Sequence, residues 1–209
     1  MTAAPKRLGV LLSGRGSNFL AIAEAIRTGA LSGCEIAVVI SNVLDAPGLA
    51  AAEAIGVPTA AFASKGSPRA EHDARMIAAL QQHRVDYVIL AGYMRVLTPD
   101  FVRAFPDRVL NIHPSLLPSF PGLHAQQQAL DYGAQFAGCT VHFVDEAVDH
   151  GVIVLQRTVP IEDGDTAESL SGRILVQEHV AYAEGIARVL SGRYQVEGRR
   201  YVLQNSGNG

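Results

Sequence analysis

Along the first hundred residues, short apolar runs alternate with segments whose apolar residues recur at helical spacing. Residues 6–12 read as a buried strand, 13–18 as a tight glycine turn, and 19–28 as a helix stopped by Gly29. The pattern then repeats: a strand at 35–41, a helix at 46–55 ended by Gly56, a short strand at 58–62, a helix over 68–83 and the strongly apolar strand 85–91. Such alternation predicts a parallel sheet with helices on both faces. A short helix at 99–105 leads into an extended segment ending at His113, and a further helix covers 124–131. After that the character changes. Strands at 137–144 and 151–159 are separated only by the acidic turn Asp145-Glu-Ala-Val-Asp-His150, which predicts an antiparallel pair. A long helix over 166–190 has Thr166 as its cap, residues 194–202 form a terminal hairpin around Glu197 and Gly198, and 204–209 read as a loose tail. The expected fold is α/β, three layers built on a mostly parallel Rossmann-like sheet with an antiparallel C-terminal part.

Composition narrows this picture. The 209 residues are 48% hydrophobic and 18% charged, enough for one substantial core, and neither a repeat nor a linker marks a boundary. A net charge of -3 without a Lys/Arg block argues against nucleic acid and against an anionic membrane, leaving small molecules as partners. The apolar run at 8–12 is too short for a signal segment or a membrane span, which makes the cytoplasm the expected location. Cys34 and Cys139 form no C-x-x-C motif and are expected to be reduced structural thiols.

Candidate chemistry gathers at the end of the strand Arg108-Val-Leu-Asn-Ile-His113. Alternation points Asn111 and His113 to one face, with α-carbons roughly 6.6 Å apart. Pro114 keeps His113 out of the helical region, and Pro118, Pro121 and Gly122 turn the chain away, so a stiff, open mouth follows the strand. The bland alternative is a pair of polar residues that only cap a strand. Gly14-Arg-Gly-Ser-Asn18 sits where a glycine loop opens a helix, a suitable place for an anion. It is not a dinucleotide fingerprint, because Phe19 holds the third glycine position and no acidic residue follows the second strand. A monophosphate, with Ser17 and Asn18 adding bonds, fits better; a plain tight turn remains the alternative. Asp149 is the candidate partner of His113, since a nearby carboxylate favours imidazolium as a donor to developing negative charge. On its own, an Asp before His-Gly reads more often as a turn residue. A metal site from His113, His142, His150 and Asp145 lacks any known ligand spacing, and Ser115 lacks a nucleophile elbow.

Taken together, Ser13-Gly-Arg-Gly-Ser-Asn18, Leu90-Ala-Gly-Tyr-Met-Arg95, Leu110-Asn-Ile-His-Pro-Ser-Leu-Leu-Pro118, Phe120-Pro-Gly-Leu-His124, Val141-His-Phe-Val144, Asp149 and Gln177-Glu-His179 resemble glycinamide ribonucleotide formyltransferase. The match runs in order from about residue 9 to about residue 184. It implies a formyltransferase fold, one domain over residues 1–209 with a nucleotide half at about 1–105 and a folate and catalytic half at about 106–203. The implied reaction moves a formyl group from 10-formyltetrahydrofolate, a co-substrate, to the primary amine of glycinamide ribonucleotide in purine synthesis, without a metal. Asn111, His113 and Asp149 match the family's catalytic set. The ribonucleotide side falls on Gly16, Ser17 and Asn18 and on Leu175, Val176, Gln177 and Glu178, the last suited to ribose hydroxyls. The folate side falls on Arg69, on Met94, Arg95, Val96 and Leu97, on Asn111, and on Asp145, Glu146, Ala147, Val148 and Asp149. The resemblance leaves a homodimer open. Two relatives compete: a hydrolase releasing formate from the same folate, which usually has His-His-Ser at His113-Pro-Ser115 and an extra domain before the first strand, and a tRNA formyltransferase with a basic C-terminal domain. A catalytically silent nucleotide-binding module is disfavoured by the presence of Asn111, His113 and Asp149. The chain departs from many relatives after Asp149, where His150 replaces a small residue and Gly151-Val-Ile lacks a proline.

Overall fold

Strand β1, Lys6–Leu12, is fully buried from Leu8 onward in the computed structural model, which describes residues 4–204. The chain divides after Asn111 into two units. In the first, β1 lies between β2, Cys34–Ser41, and β4, Tyr87–Leu90; β3, Thr59–Ala61, lies beyond β2, and the part of β5, Val109–His113, up to Asn111 pairs with β4 on its other side. Every one of these ladders is parallel, as the alternation with helices requires. The helices are α1, Ser17–Thr28, α2, Pro47–Ala54, α3, Arg69–Gln82, and α4, Pro99–Ala104.

Several boundaries differ by one or two residues from the sequence reading, β7 among them, which begins at Ile153 rather than 151; at two of them a local reason is plain. Helix α1 starts at Ser17 rather than 19, because Gly16 takes a left-handed conformation, φ 74°, and its carbonyl receives the Leu20 amide at 2.9 Å. The helix therefore begins inside the glycine loop. Strand β4 is shorter than the apolar run 85–91: Val85 N still donates to Leu80 O at the exit of α3, after Arg84 turns left-handed at φ 53°.

The second unit contains helix α5, Ala125–Tyr132, strands β6, Phe136–Phe143, and β7, Ile153–Pro160, helix α6, Ala167–Leu190, and the hairpin β8, Tyr194–Glu197, with β9, Arg200–Leu203. Strands β6 and β7 are antiparallel, with the register slipping between Val141 and His142 just before the acidic turn. The β8–β9 hairpin is also antiparallel, while β9 meets β7 in parallel at Ile153 and Arg200. Helix α6 packs on β6 and β7 and buries Ile174, Ala181, Tyr182 and Ile186. Thr166 caps it as read: its hydroxyl accepts from Ser169 N at 3.2 Å while Ser169 Oγ accepts from Thr166 N at 3.0 Å. Gln204 is exposed, and the rest of the expected loose tail, 205–209, lies outside the described residues. The fold is thus α/β, parallel through the first five strands and mixed thereafter.

Candidate active site

His113 ends β5 and is buried, 5% exposed, because Pro114 and the turn behind it fold the chain back over the ring. Both ring nitrogens face oxygen. Nε2 donates to the Phe120 carbonyl at 2.9 Å, and Nδ1 lies 3.3 Å from Asp149 Oδ2. Each ring nitrogen thus has an oxygen within reach to accept a hydrogen from it.

Asp149 is the last acidic residue of the turn between β6 and β7 and sits in the left-handed region at φ 51°, a conformation Asp tolerates better than most residues. That turn is tied down on all sides. Asp145 Oδ1 accepts from Ala147 N at 2.9 Å, Asp145 Oδ2 lies 2.7 Å from His150 Nδ1, and Arg199, from the β8–β9 turn, donates to the His150 carbonyl. Gly151 follows because nothing larger fits: a Cβ there would lie 1.8 Å from Phe143 O. The departures at His150 and Gly151-Val-Ile therefore leave a closed turn with Asp149 directed at the histidine. Its Oδ2 also accepts from Gly122 N at 2.8 Å.

A second imidazole stands on the other side of this carboxylate. His142 Nε2 is 3.8 Å from Asp149 Oδ1, while Nδ1 donates to Phe143 O at 2.8 Å. Burial pushes its pKa down from the ordinary value, which favours the neutral ring at His142. No sequence pattern places His142 beside Asp149, since a residue on a buried strand has the pattern of any core position. Nor could the Phe120 carbonyl or the Gly122 amide be foreseen, because backbone partners leave no signature in residue type.

The remaining candidates are placed as follows. Ser17 and Asn18 occupy the first turn of α1 beyond Gly16, and Asn18 is buried. Asn111 is half-buried on β5, two positions before His113. Arg69 is the exposed first residue of α3. Met94 and Val96 are exposed and Leu97 half-buried, whereas the Arg95 guanidinium is engaged with the carbonyls of Ser64 and Ser67 at 2.8 and 3.1 Å. Residues 175–178 run along α6, so they cannot share a face: Glu178 is buried while Val176 is 61% exposed. Among the described residues, no group of three or more His, Cys, Asp or Glu side chains could hold a metal ion. Cys34 and Cys139 are free and buried.

The family profile described as formyl transferase matches residues 6–186. The chain belongs to this formyl transferase family. Among solved structures, glycinamide ribonucleotide transformylase 1 from Symbiobacterium toebii superposes with a TM-score of 0.93 at 48% identity, over 97% of this chain and 96% of that one. Phosphoribosylglycinamide formyltransferase of Escherichia coli K12 is 41% identical over 188 residues, 90% of this chain and 88% of that protein. The trifunctional purine biosynthetic protein adenosine-3 of Drosophila pseudoobscura pseudoobscura is 47% identical over 189 residues, 90% of this chain. The chain spans only 14% to 19% of the length of the trifunctional relatives it matches. The His113–Asp149 contact holds the imidazole of His113 in place beside a carboxylate.

Proposed function

We propose that the chain transfers the formyl group of 10-formyltetrahydrofolate to the primary amine of glycinamide ribonucleotide, giving formylglycinamide ribonucleotide and tetrahydrofolate in purine synthesis. The observation that carries this reading is the imidazole of His113 held between Asp149 and the Phe120 carbonyl. The amine attacks the formyl carbon, a new C–N bond forms, and the carbonyl oxygen becomes an oxyanion. The Asn111 amide and the His113 imidazolium donate to it. Exchanging the neutral Phe120 carbonyl for that oxyanion as the partner of Nε2–H strengthens the bond, because the acceptor then carries charge. Collapse breaks the bond from the formyl carbon to N10 of the folate, the attacking amine loses a proton and N10 gains one. Asp149 holds the ring in place from its other nitrogen.

Within this reading, residues 16–18 take the phosphate of the ribonucleotide at the start of α1, and Glu178, with Leu175, Val176 and Gln177, serves the rest of it. Arg69, residues 94–97 and the turn at 145–149 serve the reduced folate, whose flat ring suits the exposed apolar side chains of Met94 and Val96. No step uses a metal. Both partners are small molecules, and among the described residues no helix is long and apolar enough to cross a membrane. The test is amine dependence: purified protein should turn over 10-formyltetrahydrofolate only when glycinamide ribonucleotide is present. Equal turnover without the ribonucleotide would replace transfer by hydrolysis to formate.

A further inference from the structure

Residues 94–97 are held at both ends by side chains that the reaction above does not use. At the front, Ser13 Oγ accepts from Met94 N at 2.7 Å and donates to Asn42 Oδ1 at 2.6 Å. A hydroxyl has one hydrogen, so with Met94 as donor the Ser13 proton goes to Asn42. That fixes the Asn42 amide, whose Nδ2 donates to Ser64 Oγ at 3.1 Å. Arg95 closes the circuit by donating to the Ser64 and Ser67 carbonyls. At the far end, Asp73 Oδ2 accepts from Thr98 N at 2.7 Å, and Thr98 in turn caps α4 by accepting from Phe101 N at 3.3 Å.

Asp73 is 1% exposed, a costly place for a carboxylate unless it is paired and bonded. Its Oδ1 lies 3.4 Å from Nδ1 of His72, itself fully buried, whose Nε2 donates to Phe62 O at 2.9 Å. Ser13 and Asp73 thus grip the main chain on either side of a segment that exposes Met94 by 70% and Val96 by 44%. A loop free to relax would fold such side chains inward, because covering apolar surface is favourable. Both grips act on backbone amides, so they set the course of the main chain and leave the side chains to face a ligand.

We propose that Ser13 and Asp73 are positioning residues that hold 94–97 in the shape that receives the ring of the reduced folate. This deepens the formyl-transfer reading and rests on it. Neither residue touches a reacting atom, and both act through the loop.

The experiment compares Ser13→Ala, Ser13→Thr and Asp73→Asn with the unaltered protein, all first checked for cooperative thermal unfolding. Steady-state kinetics should show Ser13→Ala raising KM for the formyl donor at least fivefold while KM for the ribonucleotide and kcat stay within twofold. Ser13→Thr, which keeps the hydroxyl, should restore the donor KM. Asp73→Asn should raise the same KM selectively, because the acceptor for Thr98 survives without the charge that strengthens it. Amide exchange at Met94 should be at least tenfold faster in Ser13→Ala. A donor KM unchanged in both Ser13→Ala and Asp73→Asn, or both substrates' KM values rising together, overturns the assignment. If the unaltered protein shows no transfer, the formyl-transfer reading fails separately, and calorimetric titration with tetrahydrofolate decides the positioning role. Binding weakened at least fivefold in Ser13→Ala upholds it; equal binding, or none by the unaltered protein, overturns it.

Discussion

Asp149 Oδ2, which stands 3.3 Å from His113 Nδ1, is the same oxygen that accepts from Gly122 N, so one carboxylate oxygen joins the histidine to the turn that follows its strand. The carboxylate therefore supplies charge as well as a hydrogen-bond acceptor, and substitution separates the two. Asp149→Asn keeps an oxygen for Gly122 but removes the negative charge opposite His113. Its kcat should fall by about 10²–10³, the usual cost of losing a donor at a developing oxyanion. Calorimetric affinity for the ribonucleotide should change by less than threefold. A kcat within tenfold of normal would show that charge at 149 is not needed.

The turn that carries Asp149 depends on close backbone approach at its end. A methyl group on Gly151 would overlap the Phe143 carbonyl at 1.8 Å, and neither strand end can yield without disturbing the β6–β7 register. Gly151→Ala should cost roughly 3 kcal/mol of stability, the upper end of overpacking penalties, and should lower turnover as well. Urea unfolding measures the first effect; a midpoint equal to that of the unaltered protein would mean the turn is looser than described.

His142 ties stability to pH. Burial holds its pKa below the ordinary 6.5, so in the folded protein the ring stays neutral where the unfolded chain takes up a proton. More protons on the unfolded chain means that stability falls as the pH drops through 6.5 toward the lower folded value. The His142 contribution is thus present above 6.5 and fades below it. Urea midpoints from pH 8 to pH 5 should decline, and His142→Gln should flatten the decline between about 7 and 5. An unchanged slope in the variant would assign the effect elsewhere.

Both cysteines should be silent in the native protein. Burial pushes Cys34 up to about 11 and Cys139 up to about 12, so neither forms appreciable thiolate near neutrality. A thiol-disulfide reagent at pH 8 should label neither within minutes, and both in denaturant. Fast labelling of the native protein would contradict their burial.

The sequence carried the strand and helix order because apolar periodicity depends on neighbours a few residues apart. Boundaries slipped where one backbone angle decided them, as at Gly16, which starts α1 two residues early, and at Arg84, which delays β4. His113 and Asp149 stood out through the motifs around them, yet their meeting is a contact between residues 36 apart, 149 minus 113, that no local pattern encodes. The grip of Ser13 on Met94 spans 81 positions and left no trace at all: a serine after a strand reads the same whether or not it holds a distant amide. Glu178 and Val176 show the converse, since neighbours in a motif are turned apart by the helix they share.

The most direct measurement follows the formyl carbon itself. With a ¹³C-formyl-labelled reduced folate and glycinamide ribonucleotide, nuclear magnetic resonance should show the label leaving the donor and appearing as a new formamide on the ribonucleotide, with His113→Ala slowing that appearance by about 10²–10³. Label emerging as free formate, at a rate indifferent to the ribonucleotide and to His113, would contradict the account.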